Sequence, residues 1–199
     1  MYLYITVYLC WILWCFVTFF MAKSKDRLKY LVLLYLSLIL LPIKLIIGDL
    51  PVNGLFLFLL IYAAVMIILT KFPLKKYLLI LFISYIYAVY FIWRITSPVL
   101  DENTFIMIAI ISGFLLIHLF TKNKDEQITI IIAGSSFGQF FYLIICTSYH
   151  LQYTVNYDIY FTIIFSILFI IAIQSCWEYL MIKIESFIKS LEYKKRWNT

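Results

Sequence analysis

Seven apolar stretches, separated by gaps that alternate between basic and non-basic, constrain this chain more than any motif in it. Lys23, Lys25, Arg27 and Lys29 fill the first gap, Lys71, Lys75 and Lys76 the third, and Lys122 and Lys124 the fifth. Lys183, Lys189, Lys194, Lys195 and Arg196 follow the last stretch. The second, fourth and sixth gaps hold no Lys or Arg, only Asp49, Asp101, Glu102 and, at the edge of the last, Asp158. Basic loops stay on the cytoplasmic side of a membrane, so the pattern predicts an outside N-terminus, a cytoplasmic C-terminus and an odd number of spans.

Composition excludes an ordinary soluble domain. The 199 residues are 65% hydrophobic and 13% charged, against about 45–50% and about 25% in globular proteins. Seven spans of about 20 residues take up about 140 of them, which leaves short loops and one tail. The predicted fold is all-α: a polytopic transmembrane helix bundle of seven spans over residues 1–183, with a cytoplasmic amphipathic tail at 184–199. The net charge of +6 is accounted for loop by loop as a topology signal facing anionic lipid, so no nucleic-acid partner is expected. Cys10, Cys15, Cys146 and Cys176 all fall within apolar stretches. They form no CxxC pair or zinc spacing and read as small buried apolar residues, with no metal or cofactor expected. Residues 1–21 have neither a basic leader nor a small-residue cleavage site, and read as a first span rather than a signal peptide.

The predicted spans run from Tyr2 to Ala22, from Lys29 to Ile47, from Val52 or Leu55 to Thr70, from Tyr77 to Thr96, from Thr104 to Phe120, from Ile128 to Tyr149 and from Tyr157 to Ile182. Pro42 is expected to kink the second near Leu38, because it removes one helical hydrogen bond. Gly48 to Gly54 reads as a turn from its two Gly, Pro and Asn. The third span is short: from Leu55 it covers only about 24 Å. In the tail, Ile184, Phe187, Ile188 and Leu191 recur at helical spacing between charged residues, with Glu185–Lys189 and Glu192–Arg196 as i,i+4 pairs. The last span is expected to continue as an amphipathic helix lying on the inner leaflet, the favoured reading, although the groove of a partner protein could take that face. Tyr30, Tyr77, Tyr149, Tyr153, Tyr157 and Tyr193, near span ends, suit the membrane interface.

Polar groups within spans are the candidates for function. Lys44 and Arg94 are the two basic residues on the outer side, each in the last turn or so of its span, with Asp49, Asp101, Glu102, Asp158 and His150 near them in depth. Snorkelling and neutralisation by those acids is one reading. The other is a site for an anionic group, since two cations at one depth converge if their helices are neighbours. Gly134 and Gly138 of the GSSFGQ segment make a GxxxG that permits close helix approach. Ser135, Ser136 and Gln139 add hydrogen-bonding groups there, as packing contacts or as the lining of a solute cavity. Gln174 and Glu178 stand one turn apart, and counting from Asp158 puts Glu178 about 30 Å deeper, at the cytoplasmic boundary. Cys146 and His150 share a helix face and could form a thiol–imidazole pair, but no third residue orients them. No HExxH or P-loop is present, and no enzymatic activity is expected.

The run Trp11-Ile12-Leu13-Trp14, then Thr18-Phe19-Phe20-Met21 and the cations from Lys23 to Lys29, with Gly54-Leu55-Phe56-Leu57-Phe58 further on, resembles the small YphA-like membrane proteins of bacilli. The resemblance covers the first third of the chain. It implies a multi-pass protein of the bacterial plasma membrane and transfers no functional residues. The expected function is that of a non-enzymatic accessory or assembly component of a membrane complex. It would pack against the lipid bilayer and a membrane-protein partner through Gly134, Ser135, Gly138 and the tail stripe. The alternative is a solute-binding or transport subunit, whose site would draw on Lys44, Arg94 and Gln139.

Overall fold

The computed structural model describes residues 2–21, 23–47, 50–97, 99–149 and 156–197, apart from the side chains of 2–3, 25, 47, 50–51 and 190–197. Among the described residues there are seven helices and one hairpin: α1 (Tyr2–Phe20), α2 (Lys25–Leu40), β1 (Lys44–Ile47), β2 (Leu50–Asn53), α3 (Gly54–Thr70), α4 (Leu74–Thr96), α5 (Glu102–Phe120), α6 (Lys124–Ser148) and α7 (Tyr157–Trp197). An apolar chain in lipid must satisfy its backbone polar groups internally, and helices do this within each segment. Four helices are long and apolar enough to cross a membrane: Leu74–Thr96, Glu102–Phe120, Lys124–Ser148 and Tyr157–Lys189. Tyr4–Phe20 and Gly54–Thr70 are apolar but shorter. The apolar part of α2, after its basic first turn, is about 16 Å long, half a hydrocarbon layer.

Side-chain caps start the helices where the sequence changes character. Ser24, Asn53, Asp101 and Asn123 each accept a backbone N–H of the helix that follows, satisfying donors that have no intrahelical partner. Lys71 closes α3 in the left-handed region (φ 45°), a conformation that favours Gly. The central element is α6, which packs on α3, α4, α5 and α7, while α7 also takes α1 and α5. Phe56, Phe105, Tyr160, Phe161 and Phe165 are fully buried where these helices meet. On the rim, α2 leans on α1 and, more lightly, on α3.

The second stretch departs from expectation. Pro42 does not kink a continuing helix; α2 has ended at Leu40, and residues 44–47 are the strand β1. The strand pairs antiparallel with β2, Lys44 opposite Asn53 and Leu45 opposite Val52. Lys44 is therefore on a hairpin and not in the last turn of a span. The stop is stabilised from the far side of the hairpin. Asn53 Nδ2 donates to the Leu41 carbonyl at 2.9 Å, Gly54 N donates to the Ile43 carbonyl at 2.8 Å, and Asn53 Oδ1 accepts from Leu55 N at 2.8 Å. The segment expected as a turn, 48–54, contributes β2 and the first residue of α3, and residues 48 and 49 lie outside the described residues.

One cysteine also departs from expectation. Cys10 and Cys146 are buried and Cys176 is half-buried, but Cys15 is exposed. The inward face of α1 is Cys10, Leu13 and Val17, and Cys15 stands on the opposite side of the helix.

Candidate functional site

Three places in the fold hold the residues singled out above. The first is the seam between α4 and α6. A Cβ on Gly134 would stand 2.6 Å from Ile83 Cγ2, and one on Gly138 would stand 2.7 Å from Tyr87 Cβ and 2.9 Å from the Ser84 carbonyl oxygen. The two helices thus touch at backbone distance, with the small residues Ser84 and Ala88, both buried, on the α4 side. Ser135 donates back to the Ile131 carbonyl at 2.6 Å within its own helix. Ser136 Oγ shares a hydrogen bond with Tyr160 Oη of α7 at 2.9 Å. Tyr87 Oη donates to Gln139 Oε1 at 3.1 Å. The Tyr87 and Tyr160 rings meet edge to face at 6.0 Å, and Phe56 of α3 meets Tyr160 at 5.8 Å. Four helices are tied at one level by this cluster. Gln139 is fully buried, and its Nε2 has no hydrogen-bond partner among the described residues. Tyr87 and Tyr160 are absent from the sequence reading, which places aromatics at the interface; the overlooked signal is that Tyr87 stands mid-helix, far from either end of α4.

The second place is the C-terminal end of α4. Arg94 Nη2 donates to Glu102 Oε1 at 2.6 Å, and its guanidinium carbon lies 5.1 Å from the centre of the Phe105 ring. The cation is thus neutralised by the first residue of α5 and stacked on the next turn. Thr104 holds the Asp101 carboxyl below its ordinary range through its hydroxyl and its N–H, the latter at 3.1 Å from Oδ2. Lys44 is exposed on the hairpin, and Gln139 faces Tyr87, about 10 Å along α4 from Arg94. No contact joins Lys44, Arg94 and Gln139 among the described residues. Cys146 is buried, while His150, its companion in the sequence reading, lies outside the described residues.

The third place is the opposite end, where the basic gaps gather. Lys76 at the start of α4 pairs with Glu126. Tyr30 at the start of α2 donates to Asp125. Lys124 pairs with Glu178 of α7 at 3.0 Å, and Gln174 Nε2 donates to the same Glu178 oxygen at 3.0 Å. These contacts set the first turn of α6 level with Glu178. Beyond it α7 continues to Trp197, about 28 Å past that level. From Trp177 to Lys189 every residue is exposed. Trp177, Leu180, Ile184, Phe187 and Leu191 follow a seven-residue repeat with apolar residues at its first and fourth positions, the pattern of a helix that packs along another helix. No Pro or Gly interrupts α7, so nothing in its sequence bends the arm back toward the bundle.

The model of one protein family, the YphA-like integral membrane proteins, matches residues 3–197. The chain belongs to that family. The likeness is not confined to the first third, where the quoted residues stand; it runs through the α4–α6 seam and the arm. Membership places the chain in a lipid bilayer and assigns no reaction. Comparison with curated proteins gives no match, and comparison with solved structures gives none.

Proposed function

We propose that this YphA-like protein is a non-enzymatic accessory or assembly component of a bacterial plasma-membrane complex, and that α7 beyond Glu178 is its docking arm. The observation that carries the reading is the arm itself. Every side chain from Trp177 to Lys189 is exposed, yet the segment keeps an apolar stripe along one face. Exposed contiguous apolar surface of this kind marks an interaction site. A stripe at a seven-residue period is met best by a helix of another chain.

The proposed topology has seven spans, with N-terminus outside and arm in the cytoplasm. It is supported by the ion pairs that gather the first turns of α4 and α6 and Glu178 at the basic end. The alternative of a transport subunit would draw on Lys44, Arg94 and Gln139, and it gains no support from a contact among them.

Photo-crosslinking residues placed singly at Ile184, Phe187 and Glu185 test the reading. Crosslinks to one protein species are expected from Ile184 and Phe187 and not from Glu185, which lies off the stripe. Equal crosslinking from all three, or to lipid alone, contradicts it.

A further inference from the structure

A cleft of about 340 Å³ lies between α1, α2, α6 and α7; the seam does not use it, and the arm meets it at Tyr179, its first residue. Its walls are apolar: Leu13 and Val17 of α1, Leu34 of α2, Ile132 of α6, and Leu168 and Ile171 of α7. Its polar lining, Tyr30, Lys124, Asp125, Ser175 and Tyr179, is confined to the end where the basic gaps gather. From Leu168 to Tyr179 it follows α7 for about 16 Å. The cleft is therefore a one-ended amphiphile in negative, deep end apolar and mouth charged.

Its chemistry selects the occupant. A polar solute would need partners along the walls, which are apolar; at the mouth Tyr30 and Ser175 have theirs, and Lys124 keeps donors beyond the one on Glu178. Tyr30 donates to Asp125, Ser175 donates to the Ile171 carbonyl at 2.8 Å, and Lys124 pairs with Glu178. The volume is at the low end of small-molecule sites, which suits an alkyl chain better than a helix about 10–12 Å across. In a bilayer the lipid tail is the local solvent of an apolar bundle, and Phe20 at the edge of the cleft is exposed. At the mouth, Lys124 lines the cleft, Lys122 is two residues before it, and Lys23 is two residues past the lining residue Met21. Counting every charged residue within two positions of a lining residue, Lys23, Lys29, Lys122 and Lys124 outnumber Asp125, Glu126 and Glu178, a balance that favours a phosphate.

We propose that this cleft is an intramembrane lipid site. It takes one acyl chain of an anionic phospholipid from the leaflet into which the basic gaps open, with the headgroup phosphate at Lys124. The site stands independently of the docking arm.

Full-length protein in vesicles of phosphatidylcholine and phosphatidylglycerol, with a photoactivatable group at the tip of one phosphatidylglycerol chain, tests it. Crosslinks at Leu13, Ile132 and Leu168 are expected at fivefold or more over those at Ile173, which is exposed on the outer face of α7. Ala172→Trp and, separately, Ser175→Phe should fill the cleft and bring its labelling down to the Ile173 level, with the folded state of each checked by thermal unfolding. Unlabelled phosphatidylglycerol should displace the label at least threefold better than phosphatidylcholine, and Lys124→Ala should remove that difference. Cleft labelling no higher than at Ile173, or unchanged in both folded plugging variants, overturns the site. Equal displacement by the neutral lipid overturns its preference for an anionic head.

Discussion

At Gly138 the room for a side chain has been given to a neighbouring helix. An added methyl would meet Tyr87 Cβ and the Ser84 carbonyl oxygen, both inside 3 Å, and neither is the free end of a flexible chain. Gly138→Ala is therefore expected to cost about 1–3 kcal/mol, as overpacking does. Gly113 offers the contrast. A methyl there meets only Ile167 Cδ1, at 2.9 Å, which can rotate aside, so Gly113→Ala should stay within about 0.5 kcal/mol of the parent. Thermal unfolding of both variants in one detergent reads the difference; equal destabilisation would mean that the seam does not hold the helices. The Gly134–Gly138 spacing is readable in the sequence because close approach requires it. Tyr87 and Tyr160 are not, because a tyrosine in an apolar stretch reads as an interfacial residue, and only the packing of α4 and α7 on α6 shows that their hydroxyls face Gln139 and Ser136.

Among the elements, α2 and α7 carry the most information. The sequence marks Pro42 as a disturbance but leaves two outcomes, a kinked helix or a stopped one. What decides between them is eleven residues beyond Pro42: Asn53 takes the Leu41 carbonyl and caps α3 in the same gesture. Asn53 is buried, so Asn53→Ala loses a cap and strands a carbonyl. The expected loss is about 2 kcal/mol, from about 1 for the cap and about 1 or more for the unpaired acceptor. Asn53→Asp keeps the acceptor for Leu55 N and should fall between. Chemical or thermal unfolding orders the three proteins, and an Asn53→Ala as stable as the parent would remove the hairpin's role in ending α2. For α7, Ile184→Glu and Phe187→Glu lie on exposed surface. Each should leave the melting temperature of the bundle nearly unchanged while abolishing the arm's association with its partner, a split visible by comparing unfolding with co-purification. A variant that unfolds the bundle would instead show that the arm packs on it.

Taken whole, the molecule is a bundle built around α6, with its charged pairs sorted to two ends. The seven stretches and their charge alternation are legible because lipid punishes any departure from them. The cleft between α1, α2, α6 and α7 is not, since no pattern of apolar residues states where helices fail to fill the space between them. The proposed topology predicts that, in a cysteine-free background, Val99→Cys reacts with an impermeant thiol reagent in intact cells and Lys122→Cys only after permeabilisation. Identical labelling of the two would break the alternation. The reading of function meets its most direct test in native mass spectrometry of the protein, gently extracted from its own membrane, beside the Ile184→Glu variant. The account predicts a stoichiometric protein partner, either a second copy or another chain, that the variant loses. A bundle without any partner that retains a polar small molecule, in both proteins alike, would contradict it and turn attention to Arg94 and Gln139.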